Sequence, residues 1–209
     1  MSSAVHGVRP HFVGLTVGLV LAVGVGVGAA ALDKLSSQSS LHSDAWGIVV
    51  GVGRFVLNSG VVWGILAFVA GRLTRRAWAA PLSGVITLSV AVGAYYLYAA
   101  TLGDRVWGIR PLLPSITRWM LVAIVAGLAL GFLGWLSRRA GRAALIGIAT
   151  PTLVALGAFV VAAPGYRSDP ISLGLNVLVV AACAVWSCWM LRVRRRISAT
   201  PIARTDSPQ

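Results

Sequence analysis

Charge is what this 209-residue chain has least of: 11% of its residues are charged, glutamate is absent, and lysine occurs once, at Lys34. An ordinary soluble domain carries roughly 25% charged residues, so the chain has too few to clothe a surface in water. Cysteine is limited to Cys183 and Cys188. Five residues apart in one apolar run, they would point about 140° away from each other on a helix, which excludes a bridge between them and reads as small buried hydrophobes. Their spacing is not that of a zinc site either. The three histidines, His6, His11 and His42, are also far from metal-ligand spacing. Neither a His-Glu-x-x-His nor a Gly-x-Ser-x-Gly motif occurs, and no pair of aspartates falls inside an apolar run. These shortages lead to the expectation of a non-enzymatic protein with no cofactor and no metal.

Apolar sequence fills the space: 57% of residues are hydrophobic and the mean hydropathy is +0.84. Six runs, at 12–32, 46–71, 79–100, 119–136, 143–163 and 171–191, are each long enough to cross roughly 30 Å of hydrocarbon as a helix. They predict an all-α, polytopic membrane bundle of about six transmembrane helices in a single domain, 12–191. A short segment, 1–11, precedes it and a basic tail, 192–209, follows. The longest pieces outside the runs, a loop and a tail of about 18 residues each, are too short to bury a separate core. Pro81 falls in the first turn of the third run, where it costs no helical bond, and Pro151 near the middle of the fifth, where a kink is expected.

Two boundaries stay open. Arg9 before the first run and Ala29-Ala30-Ala31 at its end also fit a secretory signal cleaved near residue 31, although the apolar part exceeds the usual 7 to 15 residues. Arg54 interrupts the second run. Either one long tilted helix lets it snorkel to the interface, or Trp46 to Arg54 lies on the surface and Phe55 to Gly71 crosses alone, and the broken version is preferred.

The formal charge of +13 comes from 17 Arg and one Lys against five Asp. Nucleic-acid binding would need a continuous basic face, whereas these arginines cluster just after apolar runs, so nucleic acid is not the expected partner. On alternate sides of the spans, Arg9, Arg72, Arg75, Arg76, Arg138, Arg139, Arg142, Arg192, Arg194, Arg195, Arg196 and Arg204 share one face. Lys34, Arg105, Arg110, Arg118 and Arg167 share the other with Asp33, Asp44, Asp104 and Asp169. The positive-inside rule puts the first face, and with it both termini, in the cytoplasm. The cluster Arg192 to Arg196 reads as the stop signal that fixes topology, with anionic-lipid binding as the alternative. Arg-rich, Ala/Gly/Val-rich usage points to a high-GC bacterium and so to a multi-pass protein of a bacterial cytoplasmic membrane.

Ionisable groups inside a membrane are costly and usually functional, and Arg54 is the sole one in the six runs. Asn58 follows on the same helical face, with Ser59 beside it; Asn176 on the sixth run is a further amide. The functional reading of Arg54, Asn58, Ser59 and Asn176 is a small polar pocket near the outer surface for an anionic headgroup or small anion. The structural reading is that Arg54 snorkels and Asn58 bonds another helix through Asn176. Ser59 is the nearest approach to a nucleophile, but no run offers it a general base. Gly14/Gly18, Gly24/Gly28, Gly60/Gly64 and Gly127/Gly131 are spaced for close helix approach. The similar stretches Trp63 to Gly71 and Trp119 to Gly127 read as a coincidence of biased composition rather than a tandem duplication, because their distances to the following arginines differ.

The stretch Leu57-Asn-Ser-Gly-Val-Val-Trp-Gly-Ile-Leu-Ala-Phe-Val-Ala-Gly71, an arginine turn, and a span ending in Tyr95-Tyr96 resemble a family of small multi-spanning membrane proteins of high-GC bacteria whose function is unknown. That resemblance covers about half the chain, supports the topology and adds no site. The expected role is structural, accessory or lipid-interacting, with membrane lipids as partners and a membrane-protein partner or a second copy as further ones. The alternative is a small permease or channel using the polar groups of the second and sixth runs.

Overall fold

Helix signals at the ends of the apolar runs carry the helices further than hydropathy does. The computed structural model describes residues 11–38, 45–102, 110–139, 141–162 and 170–199. Arg9, Asp44, Asp104, Arg105, Arg167, Asp169 and Arg204 lie outside them, as do His6 and His42. The described residues form α1 (His11–Gln38), α2 (Ala45–Asn58), α3 (Gly60–Leu73), α4 (Ala79–Leu102), α5 (Leu113–Leu136), α6 (Arg142–Ala162) and α7 (Pro170–Ala199), with a 3-10 turn at Arg110–Leu112 before α5. The chain is all-helical over these residues, as expected.

Several boundaries move for identifiable reasons. The first run is extended through Gln38, so Asp33 sits within a helix; there Ser36 and Ser37 turn their hydroxyls back onto the carbonyls of Asp33 and Lys34 (2.9 and 2.8 Å), contacts that satisfy the hydroxyls without driving the helix. α5 starts six residues before the expected Trp119, since Pro114 in its first turn is preorganised for helix. α7 continues through the arginines to Ala199, so the first eight residues of the expected tail are helical. The second run is broken, but at Ser59 instead of after Arg54: α2 and α3 meet at an angle of 49°.

Neighbouring contacts show alternating directions. Gly18 approaches Thr87, Gly26 approaches Ala91 and Asp33 bonds Tyr95, so α1 and α4 run parallel. Gly84 faces Gly127 while Ala80 faces Gly131, so α4 and α5 are antiparallel. Gly64 meets Leu130 and Gly134 meets Phe68, so α3 runs parallel to α5. Ser187 of α7 bonds the Ile148 carbonyl oxygen and Thr152 of α6 (both 2.9 Å) while Arg194 reaches back to Arg139, so α6 and α7 are antiparallel. Pro151 lies inside α6.

The packing is that of a protein whose solvent is apolar. Small residues such as Ala22, Ala29, Ala67, Ala80, Ala91, Ala144 and Ala155 are buried, while Val20, Leu21, Ile48, Leu121, Val125, Leu178 and Val185 are exposed. In lipid no hydrophobic force separates large apolar groups from solvent, and contact is gained by bringing backbones close across small residues. Gly127, Gly131 and Gly134 form that seam on α5, each abutting backbone of α3 or α4. Of the four expected close pairs, Gly127/Gly131 behaves as read from its spacing, whereas Gly24 and Gly60 face open space and Gly26 makes the tight approach of α1 to α4.

By length and composition, α1, α4, α5 with its preceding turn, and α7 can each cross a membrane, and α2 with α3 makes a fifth if the bent pair is one span. The apolar part of α6, Ala143–Gly157, is shorter. At about 1.5 Å per residue it spans roughly 22 Å, below the 30 Å of a typical hydrocarbon core. The chain is therefore a helical protein with four to five membrane-spanning candidates, where the runs of the sequence predicted about six.

Candidate functional site

The break between α2 and α3 organises a polar constellation at one end of the bundle. A helix that stops leaves its last carbonyls and the next helix's first N–H groups without partners. Ser59, in an extended conformation (φ −68°, ψ 132°), serves both: its hydroxyl donates to the Val56 carbonyl oxygen (2.8 Å) and accepts from the Val62 N–H (3.4 Å). The indole N–H of Trp63 takes the Leu57 carbonyl oxygen at 2.6 Å. Ser59 is thus the cap of α3, and its hydroxyl proton is committed to a backbone carbonyl.

Arg54 projects from α2 towards α1. Its Nε lies 2.5 Å from Asp33 Oδ1, and the other carboxylate oxygen accepts the Tyr95 hydroxyl at 2.5 Å. Tyr95 in turn stands edge-on to Trp63 (6.4 Å between centroids) and to Tyr96 (5.1 Å). The side chain of Arg54 is 54% exposed and that of Asp33 27%, so the pair sits at the rim of the bundle, not within it. Arg54 therefore does more than snorkel: it is neutralised by a specific carboxylate on α1.

Asn58 ends α2 and points to a cavity of about 290 Å³ between α3, α4 and α5. The opening of this space can be followed along α3. A Cβ on Gly71 would collide with the Gly131 backbone, one on Gly64 would meet only the Leu130 side chain at 3.2 Å, and one on Gly60 would meet nothing within 4 Å. α3 and α5 thus touch at one end and diverge towards the other. Leu88, Val92 and Ala123 line the interior, Trp63, Tyr95, Tyr96 and Trp119 its wider part, and Val154 of α6 one side. Trp119 and Val122 are half-exposed (54% and 49%), so this side of the cavity reaches the outer surface of the bundle.

Of the four residues singled out in the sequence, Arg54, Asn58 and Ser59 share the break. Asn176 is half-buried on α7 and is not among the residues lining this cavity. Sequence reasoning missed Asp33, which falls one residue beyond the first run, and Tyr95, which entered it only through the family resemblance. One signal was available: a single buried-run arginine calls for a carboxylate, and Asp33 ends the neighbouring apolar run. No three His, Cys, Asp or Glu side chains converge among the described residues. Cys183 is buried and Cys188 exposed, both as free thiols.

The register of α3 against α5 also bears on the Trp63/Trp119 similarity. Arg72 pairs with Ser137 and Arg75 with Trp135, offsets of 60 to 65 residues, whereas the similarity aligns residues 56 apart. The two tryptophans lie at different depths, by roughly 6–14 Å at 1.5 Å per residue.

No curated protein and no solved structure matches the chain. A family model matches residues 54–205, which include Arg54, Asn58, the α3–α5 seam and Tyr95 but not Asp33. On that match, across most of its length, the chain belongs to DUF6518, a family of unknown function.

Proposed function

We propose that this protein is a non-enzymatic, lipid-interacting component of a bacterial cytoplasmic membrane, crossing it six times with both termini in the cytoplasm. The observation that carries the lipid reading is the cavity between α3, α4 and α5, with apolar and aromatic walls and one side at the outer surface of the bundle. Its 290 Å³ is at the lower end of the roughly 300–1,000 Å³ of small-molecule sites and equals about ten water volumes. Such a space suits part of an acyl chain or another apolar tail. Asn58 and the Tyr95 hydroxyl lie on the side of the Asp33–Arg54 pair, where a polar headgroup would remain.

Topology is supported by the alternating helix directions and by the gathering of Arg72, Arg138, Arg139 and Arg194 at one end, opposite Asp33 and Arg54. In this reading α6 crosses with the short apolar part compensated by its neighbours, at a modest cost in mismatch. Burial of Ala22, Ala29 and Ala30 supports α1 as a retained helix of the bundle in place of a discarded leader. The permease alternative has no observation in its favour among the described residues: of the amides it invokes, Asn58 lines this cavity and Asn176 does not.

Filling the cavity tests the proposal. Ala126 lines it and is only partly buried, so Ala126→Phe should occupy the space without entering the glycine seam. The wild type, purified through repeated detergent exchange, is expected to retain about one lipid by native mass spectrometry, and the variant to lose it. Equal retention by both proteins, or none by the wild type, would sink the lipid-cavity reading.

A further inference from the structure

Arginines at a membrane surface are ordinarily solvated and mobile, but those at the ends of α3 and α5 are held in place. Arg72 Nη1 donates to Ser137 Oγ at 2.6 Å, and that hydroxyl donates on to the Gly134 carbonyl oxygen. Arg138 Nη1 donates to the Arg72 carbonyl oxygen at 3.0 Å. The Arg139 guanidinium lies 4.2 Å over the Trp135 ring, whose N–H is donated to the Arg75 carbonyl oxygen at 3.3 Å. From α7, Arg194 reaches the carbonyl oxygen of Arg139 at 3.0 Å.

Every acceptor named here is neutral. Among the described residues the only carboxylate is Asp33, at the other end of the bundle. A guanidinium has five N–H donors, and these contacts use one from Arg72, one from Arg138 and none from Arg139. Cations gathered this way repel one another until an anion joins them, and a phosphate takes guanidinium forks in bidentate geometry.

The neighbouring surface gives the chemistry of the anion. Phe132 and Trp135 lie at helical spacing on one side of α5 with their rings stacked at 5.6 Å, and Arg139, in the turn that follows the helix, lays its guanidinium over Trp135. Phe132 is 43% exposed towards the bilayer. The side of α5 therefore grades from cation through indole to phenyl, the order in which a lipid presents phosphate, glycerol region and chain. We propose that this end of the bundle is an ordered site for one phospholipid of net negative charge, its phosphate on Arg72, Arg138 and Arg139 and a chain along Trp135 and Phe132. A soluble phosphate compound would leave the ring stack unused. The site requires that the bundle lie in a membrane but does not depend on the cavity between α3, α4 and α5.

The test is a native mass-spectrometry titration of the full chain in detergent with phosphatidylglycerol, phosphatidylcholine or inorganic phosphate. Phosphatidylglycerol is expected to bind selectively over phosphatidylcholine and to survive millimolar phosphate. Arg138→Gln with Arg139→Gln should weaken it roughly thirtyfold, the equivalent of about 1 kcal/mol for each of two charges. Arg192→Gln with Arg195→Gln removes the same charge from exposed positions on α7 and should stay within about threefold of wild type, as expected for screened, unstructured attraction. Arg138→Lys with Arg139→Lys keeps the charge and protects the fold, yet should still weaken phosphatidylglycerol binding severalfold because lysine has neither fork nor stacking face. Equal loss from the α5 and α7 pairs, wild-type binding by the lysine variant, or displacement by inorganic phosphate would each overturn the proposal. Ala126→Phe should leave this binding unchanged, so failure of the cavity reading is read separately.

Discussion

Gly127→Ala should destabilise the protein although alanine is the better helix former. A Cβ at Gly127 would lie 2.6 Å from Val85 Cα, 2.7 Å from Val85 N and 2.9 Å from the Gly84 carbonyl carbon. Ordinary contact begins at 3.4 Å, so α4 and α5 must separate by about 0.8 Å along that direction. All three obstructing atoms are backbone, so no rotamer change relieves the clash and the whole seam has to open. Overpacking of a tight interior costs typically 1–3 kcal/mol, and a backbone clash belongs near the top of that range. Against this stands a helix-propensity gain of about 0.5–1 kcal/mol for glycine to alanine. The net expectation is a loss of about 2 kcal/mol.

Gly93 on α4 supplies the comparison, since a Cβ there meets nothing within 4 Å. Gly93→Ala should show the propensity gain alone, leaving the two variants about 3 kcal/mol apart. Unfolding by SDS in mixed micelles, followed by far-UV circular dichroism, measures the difference. A Gly127→Ala protein as stable as Gly93→Ala would refute the claim that backbone contact at this seam holds α4 to α5.

Three further outcomes follow from the same packing. Thr87 is fully buried and its hydroxyl has no partner among the described residues, so Thr87→Val should leave stability unchanged or raise it by up to about 1–3 kcal/mol in the same SDS titration; a clear loss would mean that the hydroxyl is bonded. Ser59→Ala should cost about 0.5–2 kcal/mol through loss of the α3 cap, while Ser59→Asp should recover most of it, and an Asp variant no better than Ala would argue against capping. Asp33→Asn should cost only about 0.2–1 kcal/mol, because the pair with Arg54 is half-exposed, and the cost should shrink at high salt; a salt-independent loss would show a tighter pair than the rim position implies.

The residues that moved between sequence and structure share a cause. Hydropathy marks where a chain can dissolve in lipid, but helix ends are set by local hydrogen bonding. α1 runs on past Asp33 although the apolar run has ended, and α5 begins at Leu113 because Pro114 favours a first turn. Arg54 and Asn58 were read as one polar face of a helix with Ser59 beside them, whereas the serine ends one helix and caps the next. Arg54 and Asn58 were legible as unusual because polar groups are costly in an apolar run, but their surroundings were not: Tyr95 lies 62 residues from Asp33, and no local pattern relates them.

Sequence alone determined that the protein is helical and apolar enough to enter a membrane, because few charges and long uncharged runs suffice for that conclusion. It also marked the arginine clusters and the 127/131 glycine pair, both properties of one segment at a time. Only tertiary structure decided that α3 and α5 meet at their glycine ends and part around a cavity, that Gly26 instead of Gly24 touches α4, and that Arg54 is neutralised by Asp33. Those facts depend on how one helix is rotated and shifted against another. Rotation and shift are fixed by contacts of a few ångströms between residues distant in the chain, and such contacts leave no periodic trace in either segment.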